Sequence, residues 1–310
     1  MKKPLNSIIF YIISIVFLYC IYDSFQHIRA EVYHRNGYIK KERGYPKLAN
    51  KDFKKATKLT TWETHYQLQL AKSYEDTAKK HPKQKSKYTS LAIREYQSLI
   101  ERDPINPWFQ ARLGLIFHDL YKKDKTDLKS KELAYIYAKK ATDNDPKNPL
   151  FTLHFGHLMF SYKDYKKAKE YYDLTISYDY DITEAHFNLA AIYNIEENKN
   201  MSIEHYKAVS EQLTKMEKKS RKVKVPGAKS KIETFQNARI KLAKHYLETQ
   251  NLNEARQLIE KIPVSVERYE LLAEYFTKVN QPKTAISLYK QLNDRLKTSK
   301  YDKQINALNQ

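Results

Sequence analysis

The chain has 310 residues, enough for about two ordinary domains or for one extended repeat array. Its 56 Lys+Arg against 36 Asp+Glu leave a formal net charge of +20, which favours anionic partners and equally fits a Lys-rich composition spread over solvated faces. Five Gly and 10 Pro argue against a turn-rich sandwich or barrel, and a single cysteine, Cys20, excludes a disulfide framework and a Cys-based zinc site.

The first predicted element is apolar. No residue from Pro4 to Tyr22 is charged, and as a helix the stretch measures about 28 Å, close to the hydrocarbon thickness of a bilayer. It predicts one membrane-spanning helix, with the lipid bilayer as a partner through residues 4–22 and an N-terminal tail plus anchor over 1–22. A cleaved signal peptide is the rival, because Lys2 and Lys3 precede the apolar run. No small-residue cleavage site follows, and Leu18-Tyr19-Cys20 puts a bulky side chain where lipoprotein processing needs a small one. Lys2 and Lys3 favour a cytoplasmic N-terminus, while Arg29, Arg35, Lys40 and Lys41 pull the other way. The orientation adopted is N-terminus inside, with the soluble array extracytoplasmic. Residues 23–60 then read as a juxtamembrane connector broken by Gly37, Gly44 and Pro46.

Beyond the connector the sequence repeats itself. DPINPWFQARLG begins at Asp103 and DPKNPLFTLHFG at Asp145. Gly156, Met159, Ala168, Tyr172 and Tyr180 are answered about 34 residues on by Ala190, Tyr193, Ser202, Tyr206 and Thr214. Similar sets recur as Leu70, Ala71, Tyr74, Ala92, Tyr96; as Leu113, Gly114, Phe117, Ala134, Ala138; as Leu242, Ala243, Tyr246, Ala255, Ile259; and as Leu272, Ala273, Phe276, Ala285, Tyr289. This phrasing resembles the tetratricopeptide (TPR) repeat, in which small residues let two helices cross closely and aromatics fill the holes beside them. The resemblance implies an all-α chain, an α-solenoid of about six TPR helix-turn-helix units following one N-terminal transmembrane helix. Units 1–4 fall in 61–214 and units 5–6 in 232–297. The basic run at 215–231, with Pro226 and Gly227, reads as a flexible linker between sub-arrays, and 298–310 as a C-terminal tail. The DP-x-NP phrases also resemble TPR segments attached to bacterial O-antigen polymerase and ligase-like membrane proteins, here without a polytopic part.

Two units depart from the pattern. The separations Tyr74 to Ala92 and Phe117 to Ala134 are about twice that of Met159 to Ala168. The added residues are Lys-rich and are expected to lie side by side as a basic edge: Lys79, Lys80, Lys83, Lys85 and Lys87 in the first, Lys122, Lys123, Lys125, Lys129 and Lys131 in the second. Extended, solvated helix ends would account for the same residues.

In a solenoid the first helix of each unit lines a concave surface. The TPR resemblance implies that the groove is lined by Trp108, Arg112, Leu115 and His118 in unit two. Unit three contributes Leu150, Leu153, His154, His157 and Phe160, and unit four Glu184, Phe187 and Asn188. Asn188 matches one position of the carboxylate clamp of some TPR proteins, but Leu153 and His157 stand where Lys and Asn belong, so a clamp is not expected. His154 and His157, three apart on one helix, are open to four readings: metal ligands, an acid/base pair, helix packing, or groove contacts. No Cys or spaced carboxylate completes a zinc set, and no P-loop, dinucleotide-binding glycine pattern, nucleophile elbow or H-E-x-x-H is present. The expectation is therefore a membrane-anchored scaffold or adaptor that binds an unidentified protein or peptide segment. No enzymatic activity, cofactor, metal or nucleic-acid partner is expected; the alternatives are a basic module that binds an anionic polymer or membrane surface, or an accessory to cell-surface polysaccharide assembly.

Overall fold

The computed structural model describes residues 4–309 apart from 224 and 226, with side chains from Ile9 onward. Among these residues the only regular structure is helix, and the chain falls into two compact units, Met1–Lys147 and Asn148–Gln310.

The first unit contains α1 (Pro4–Glu42), α2 (Pro46–Leu59), α3 (Thr64–Lys80), α4 (Lys85–Arg102), α5 (Pro107–Lys123) and α6 (Leu128–Asn144). Helix α1 is unbroken for 39 residues, so the apolar segment and most of the expected connector form one rod. Its early part is long and apolar enough to cross a bilayer and is buried against nothing. Gly37 does not break it. A Cβ there would lie 2.9 Å from the Phe53 ring, so this glycine lets α2 approach closely, as Gly156 does for the Tyr172 ring sixteen residues later in its own hairpin. The burial of Ala30, Ala49, Phe53 and Ala56 at 0% exposure offsets the roughly 1 kcal/mol that a mid-helix glycine costs. The chain turns instead at Gly44, where φ is +85°, and Pro46 starts α2 with a preset φ.

Helices α1 and α3 run in parallel and contact each other in step. The rings of His27 and Trp62 are 5.5 Å apart, the Tyr66 hydroxyl donates to Glu31 at 2.9 Å, Lys41 pairs with Asp76 at 3.4 Å, and Lys80 donates to the Gly44 carbonyl at 2.8 Å. The offset stays near one TPR period throughout. The expected connector is thus a further helix hairpin whose first helix continues the apolar segment.

The added Lys-rich residues are mostly absorbed as helix, with a turn at 124–127 in the second stretch. Helices α3 to α6 have 17 or 18 residues, against 13 and 14 in the first hairpin of the second unit, and only a 3-10 turn at Pro82–Gln84 interrupts the first stretch.

The second unit holds α7 (Pro149–Ser161), α8 (Tyr165–Tyr178), α9 (Thr183–Ile195), α10 (Lys199–Lys222), α11 (Ala228–Glu248), α12 (Leu252–Glu260), α13 (Val266–Lys278), α14 (Pro282–Leu296) and α15 (Asp302–Leu308). Its tight turns within hairpins share one device. Lys163, Glu197, Gln250 and Asn280 each take a left-handed φ near +60°, and the next residue's N–H bonds back to the last helical turn, as Asp164 does to the Met159 carbonyl at 3.0 Å.

The run expected as a flexible linker is mostly helical. Helix α10 extends to Lys222 and α11 begins at Ala228, capped by Gly227 at φ +74°. Pro226, part of the expected hinge, lies outside the described residues. Phe235, Leu213 and Leu242 close a common core between these helices. Arg239, fully buried, donates to both carboxylate oxygens of Glu217, to Thr214 Oγ1 and to the Lys261 carbonyl, so α10, α11 and the end of α12 are bound together. The expected C-terminal tail contains α15, whose Ile305 joins Tyr301 and Tyr289 in a small core, and Tyr301 donates to Glu270 at 2.5 Å. A terminal helix of this kind covers an apolar face that a stacked repeat would otherwise leave open.

Candidate binding groove

In the first unit the site is built by the turn that separates one hairpin from the next. In DPINPW, Asp103 caps the end of α4, Pro107 occupies the first turn of α5, and the Asn106 side chain accepts from the Trp108 N–H at 3.1 Å. Asn106 also donates to Asp103 Oδ2 at 2.9 Å. This fixes the start of α5 and leaves Trp108 half exposed, at 52%. Asn148 repeats the capping bond to the Leu150 N–H at 3.1 Å in the second unit.

Trp108, Phe109 and Arg112 of α5 face Leu68, Lys72, Glu75 and Asp76 of α3 and Lys41 of α1 around a cavity of about 570 Å³. Its lining combines apolar groups with ion pairs. Arg112 grips Glu75 in a two-pronged contact, and Tyr96, fully buried behind them, donates to Glu75 Oε1 at 2.6 Å. Burial, then the neighbouring Glu75 charge, pushes the Tyr96 hydroxyl well above the ordinary tyrosine range, so it stays a donor. Lys41 pairs with Asp76. Both carboxylates of the cavity are thereby engaged, and the third cation, Lys72, is half-buried in its lining. Burial, followed by the charges of Lys41 and Arg112, lowers its pKa from the usual lysine value. Such a cavity suits a polypeptide carrying an apolar side chain and an acceptor group. Leu115 lies half-buried on α5 and His118 is buried at 9%.

In the second unit, Leu150 is exposed at 43%, Leu153 is buried, and His154, His157 and Phe160 are half-buried on α7. The Asn188 amide donates to His157 Nε2 at 3.0 Å and to the Glu184 carbonyl at 2.8 Å, while the His157 ring meets Tyr172 edge-on at 5.6 Å. Nε2 is thus an acceptor, and the ring proton sits on Nδ1. Glu184 pairs with Lys231 of the basic run at 3.1 Å. Phe187 packs between Tyr206 and Phe235, which ties it to the core of the following hairpin. The structure therefore brings His157, Glu184, Phe187 and Asn188 together, with polar groups already satisfied by each other.

One histidine pair escaped the sequence reading. His186 and His205 face each other at 3.0 Å between Nδ1 atoms, and His186 Nε2 lies 3.2 Å from the Tyr180 carbonyl. A carbonyl only accepts, so His186 carries its proton on Nε2 and His205 donates through Nδ1. Burial and then the neighbouring His186 push His205 down to about 4, and burial lowers His186. His205 also stacks on Tyr193 at 5.5 Å. They sit on successive antiparallel helices, a proximity that the repeat register contains but that no local motif advertises. Among the described residues no group of three or more His, Cys, Asp and Glu side chains is arranged to hold a metal ion.

The lysines of the expected basic edge are exposed at the far ends of α3 to α6, except Lys131, which is half-buried. Lys79, Lys85 and Lys123 line a common cavity of about 290 Å³ with Ile93, Ile116 and Asp119, so the two Lys-rich stretches are neighbours. Several of these cations are engaged. Lys122 pairs with Asp119 at 2.8 Å, Lys125 lies 4.4 Å from the Tyr121 ring centroid, and Lys80 holds Gly44.

No family model matches the sequence, and no curated protein matches it. Among solved structures, Pseudomonas aeruginosa PilF is similar, with a TM-score of 0.54 at 16% identity over 80% of this chain and 99% of that one. The TPR protein TTC0263 from Thermus thermophilus gives a TM-score of 0.47 at 17% identity, covering 67% of this chain and 98% of that one. MamA from Desulfovibrio magneticus gives 0.49 at 15%, covering 59% of this chain and 94% of that one. The likeness to PilF shows the fold, an array of TPR-type helix pairs.

Proposed function

We propose that the chain is a membrane-anchored scaffold of the TPR type, held by the apolar part of α1, that receives a polypeptide segment in the groove between α1, α3 and α5. The observation that carries this reading is the cavity of about 570 Å³ lined by half-exposed Trp108 with Leu68 and Phe109, where half-buried Lys72 lies beside two engaged ion pairs. A large aromatic beside a partly desolvated cation is the composition of an interaction hot spot. Anchoring confines the groove to the membrane surface and raises the effective concentration of partners there. The reading takes the array to lie on the extracytoplasmic side, and a reporter fused to the C-terminus tests that separately.

The groove is tested by affinity capture from detergent-solubilised membranes with wild type, Trp108→Ala and Lys72→Glu. Loss of a defined set of proteins from both variants is expected. Recovery of the same proteins by all three overturns the groove reading. A second reading, capture of an anionic polymer by the basic edge, draws on the shared cavity of Lys79, Lys85 and Lys123. It predicts a steep loss of binding with added salt, through counterion release, and no response to Trp108→Ala.

A further inference from the structure

We propose that the α2–α3 turn rests on the same bilayer that holds α1, with Trp62 seated in the headgroup layer. This inference depends on α1 being the anchor.

The geometry is set by one unbroken helix. Because α1 runs without interruption from Pro4 to Glu42, the height of every residue packed against it can be measured along its axis. Trp62 packs on His27, with ring centroids 5.5 Å apart. His27 lies about 7–8 Å beyond Tyr22 at 1.5 Å rise per residue. A bilayer is about 30 Å thick in its hydrocarbon core and 40–45 Å with its headgroups, so the polar layer on each side is roughly 5–8 Å deep. If the apolar stretch ending at Tyr22 fills the core, Trp62 lies at the outer part of that layer.

The chemistry agrees with the height. Trp62 is 60% exposed although its ring is large and apolar, and Phe25 and Ile28 on α1 are exposed at 58% and 62%. The next turn of the array shares this end of the unit, since Arg102 donates to the Thr61 carbonyl at 2.5 Å, and it presents Ile105 at 75% exposure. Exposed Arg29, Lys58 and Arg102 stand among these apolar groups. An exposed Trp among apolar tips, ringed by cations on flexible stems, is what an interface between hydrocarbon and phosphate favours. The patch continues directly from the apolar surface of α1, which is why a bilayer rather than a soluble partner is the occupant. The opposite end of the unit, with Lys80 on Gly44, stands about 30 Å above Tyr22 along the helix. That is several Debye lengths from the membrane at physiological ionic strength.

The protein has two tryptophans, so each can be observed alone. The full chain is reconstituted in phosphatidylcholine vesicles containing a fraction of phosphatidylglycerol, with bromine placed at shallow or deep acyl positions. Trp108→Phe isolates Trp62. Trp62→Phe isolates Trp108, and Trp62→Phe/Trp108→Phe with Tyr22→Trp reports on the anchor itself. Shallow bromines are expected to quench Trp62 by roughly half and deep ones less, while Trp108, in the first turn of α5 beyond Ile105, is quenched less than Trp62. If the Tyr22→Trp protein is quenched and Trp62 is not, the interfacial seat is refuted while the anchor stands. If neither is quenched, the anchor fails and the proposal falls with it.

Discussion

The hairpin formed by α1 and α2 is a structural repeat rather than a tether, and Phe53 is the residue that distinguishes the two. Its side chain is fully buried against Gly37, in the company of Ala49 and Ala56. Phe53→Ala removes a ring from a site whose near wall is a helix backbone, which relaxes little. The expected cost is about 3–5 kcal/mol, the sum of lost transfer energy and the cavity left behind. At about 1.4 kcal/mol per tenfold change, amides of residues 47–58 should exchange with deuterium at least 10²-fold faster in the variant. The effect should fade along the array, because each repeat touches only its neighbours, leaving α5 and α6 nearly unchanged. Hydrogen exchange by mass spectrometry on the full chain in detergent micelles reads both regions at once. If residues 47–58 exchange freely in the wild type, or at equal rates in both proteins, the segment is a tether and the packing argument fails.

Three further outcomes follow from the second unit. His186 and His205 have lowered pKa values when folded and ordinary ones near 6.5 when unfolded, so their contribution is complete above pH 6.5 and is lost as pH falls towards about 4. Chemical denaturation midpoints should therefore drop between pH 7 and pH 4.5, and His205→Gln should flatten that slope; an unchanged slope would remove the pair from the account. Lys163 adopts φ +63° at the turn after α7, where a side chain is strained, so Lys163→Gly should stabilise by up to about 1 kcal/mol, visible as a raised melting temperature. Arg239→Ala leaves Glu217, a quarter exposed, without its buried partner and uncaps the Lys261 carbonyl. A loss of about 3–5 kcal/mol is expected by calorimetry, and a measured loss below about 1 kcal/mol would contradict the burial of that pair.

The helical class and the array were legible because small and aromatic residues recur at fixed spacing, and DPINPW and DPKNPL carry their own caps in Asn106 and Asn148. What misled the reading was treating glycine as punctuation. Gly44 does end a helix, at positive φ, whereas Gly37 has no such φ and serves a close crossing. The two are indistinguishable until the partner ring, Phe53, is in place. The Lys-rich stretches at 79–87 and 122–131 mostly lengthen α3 to α6, as the reading of extended helix ends expected and as the good helix propensity of Lys allows, with turns only at 81–84 and 124–127. The candidate cavity was legible only in part. Of its lining, the repeat register singles out Trp108 and Arg112 but not Lys41, Lys72 and Glu75, since one comes from a helix taken for a connector and the others need the α3–α5 packing to bring them to Arg112.

An unbroken α1 also constrains how a partner could be presented. A flexible tether of twenty residues would let an array sample all orientations within tens of ångströms of the membrane, giving local concentration without direction. Here Lys41, on the rim of the groove, belongs to the same helix as the apolar segment and lies about 28 Å beyond Tyr22. Ion pairing of Lys41 with Asp76 and of Arg112 with Glu75 then fixes α3 and α5 to that rod. With α1 as anchor, the groove stands at one height, and a partner must reach it with a segment projecting that far from the bilayer. Insertion of a short Gly/Ser stretch between Asp23 and Gln26 would keep every contact of the first unit from His27 onward while uncoupling its direction. Partner capture in detergent should survive that insertion, and capture from intact membranes should weaken; equal capture in both would show that height and direction are immaterial.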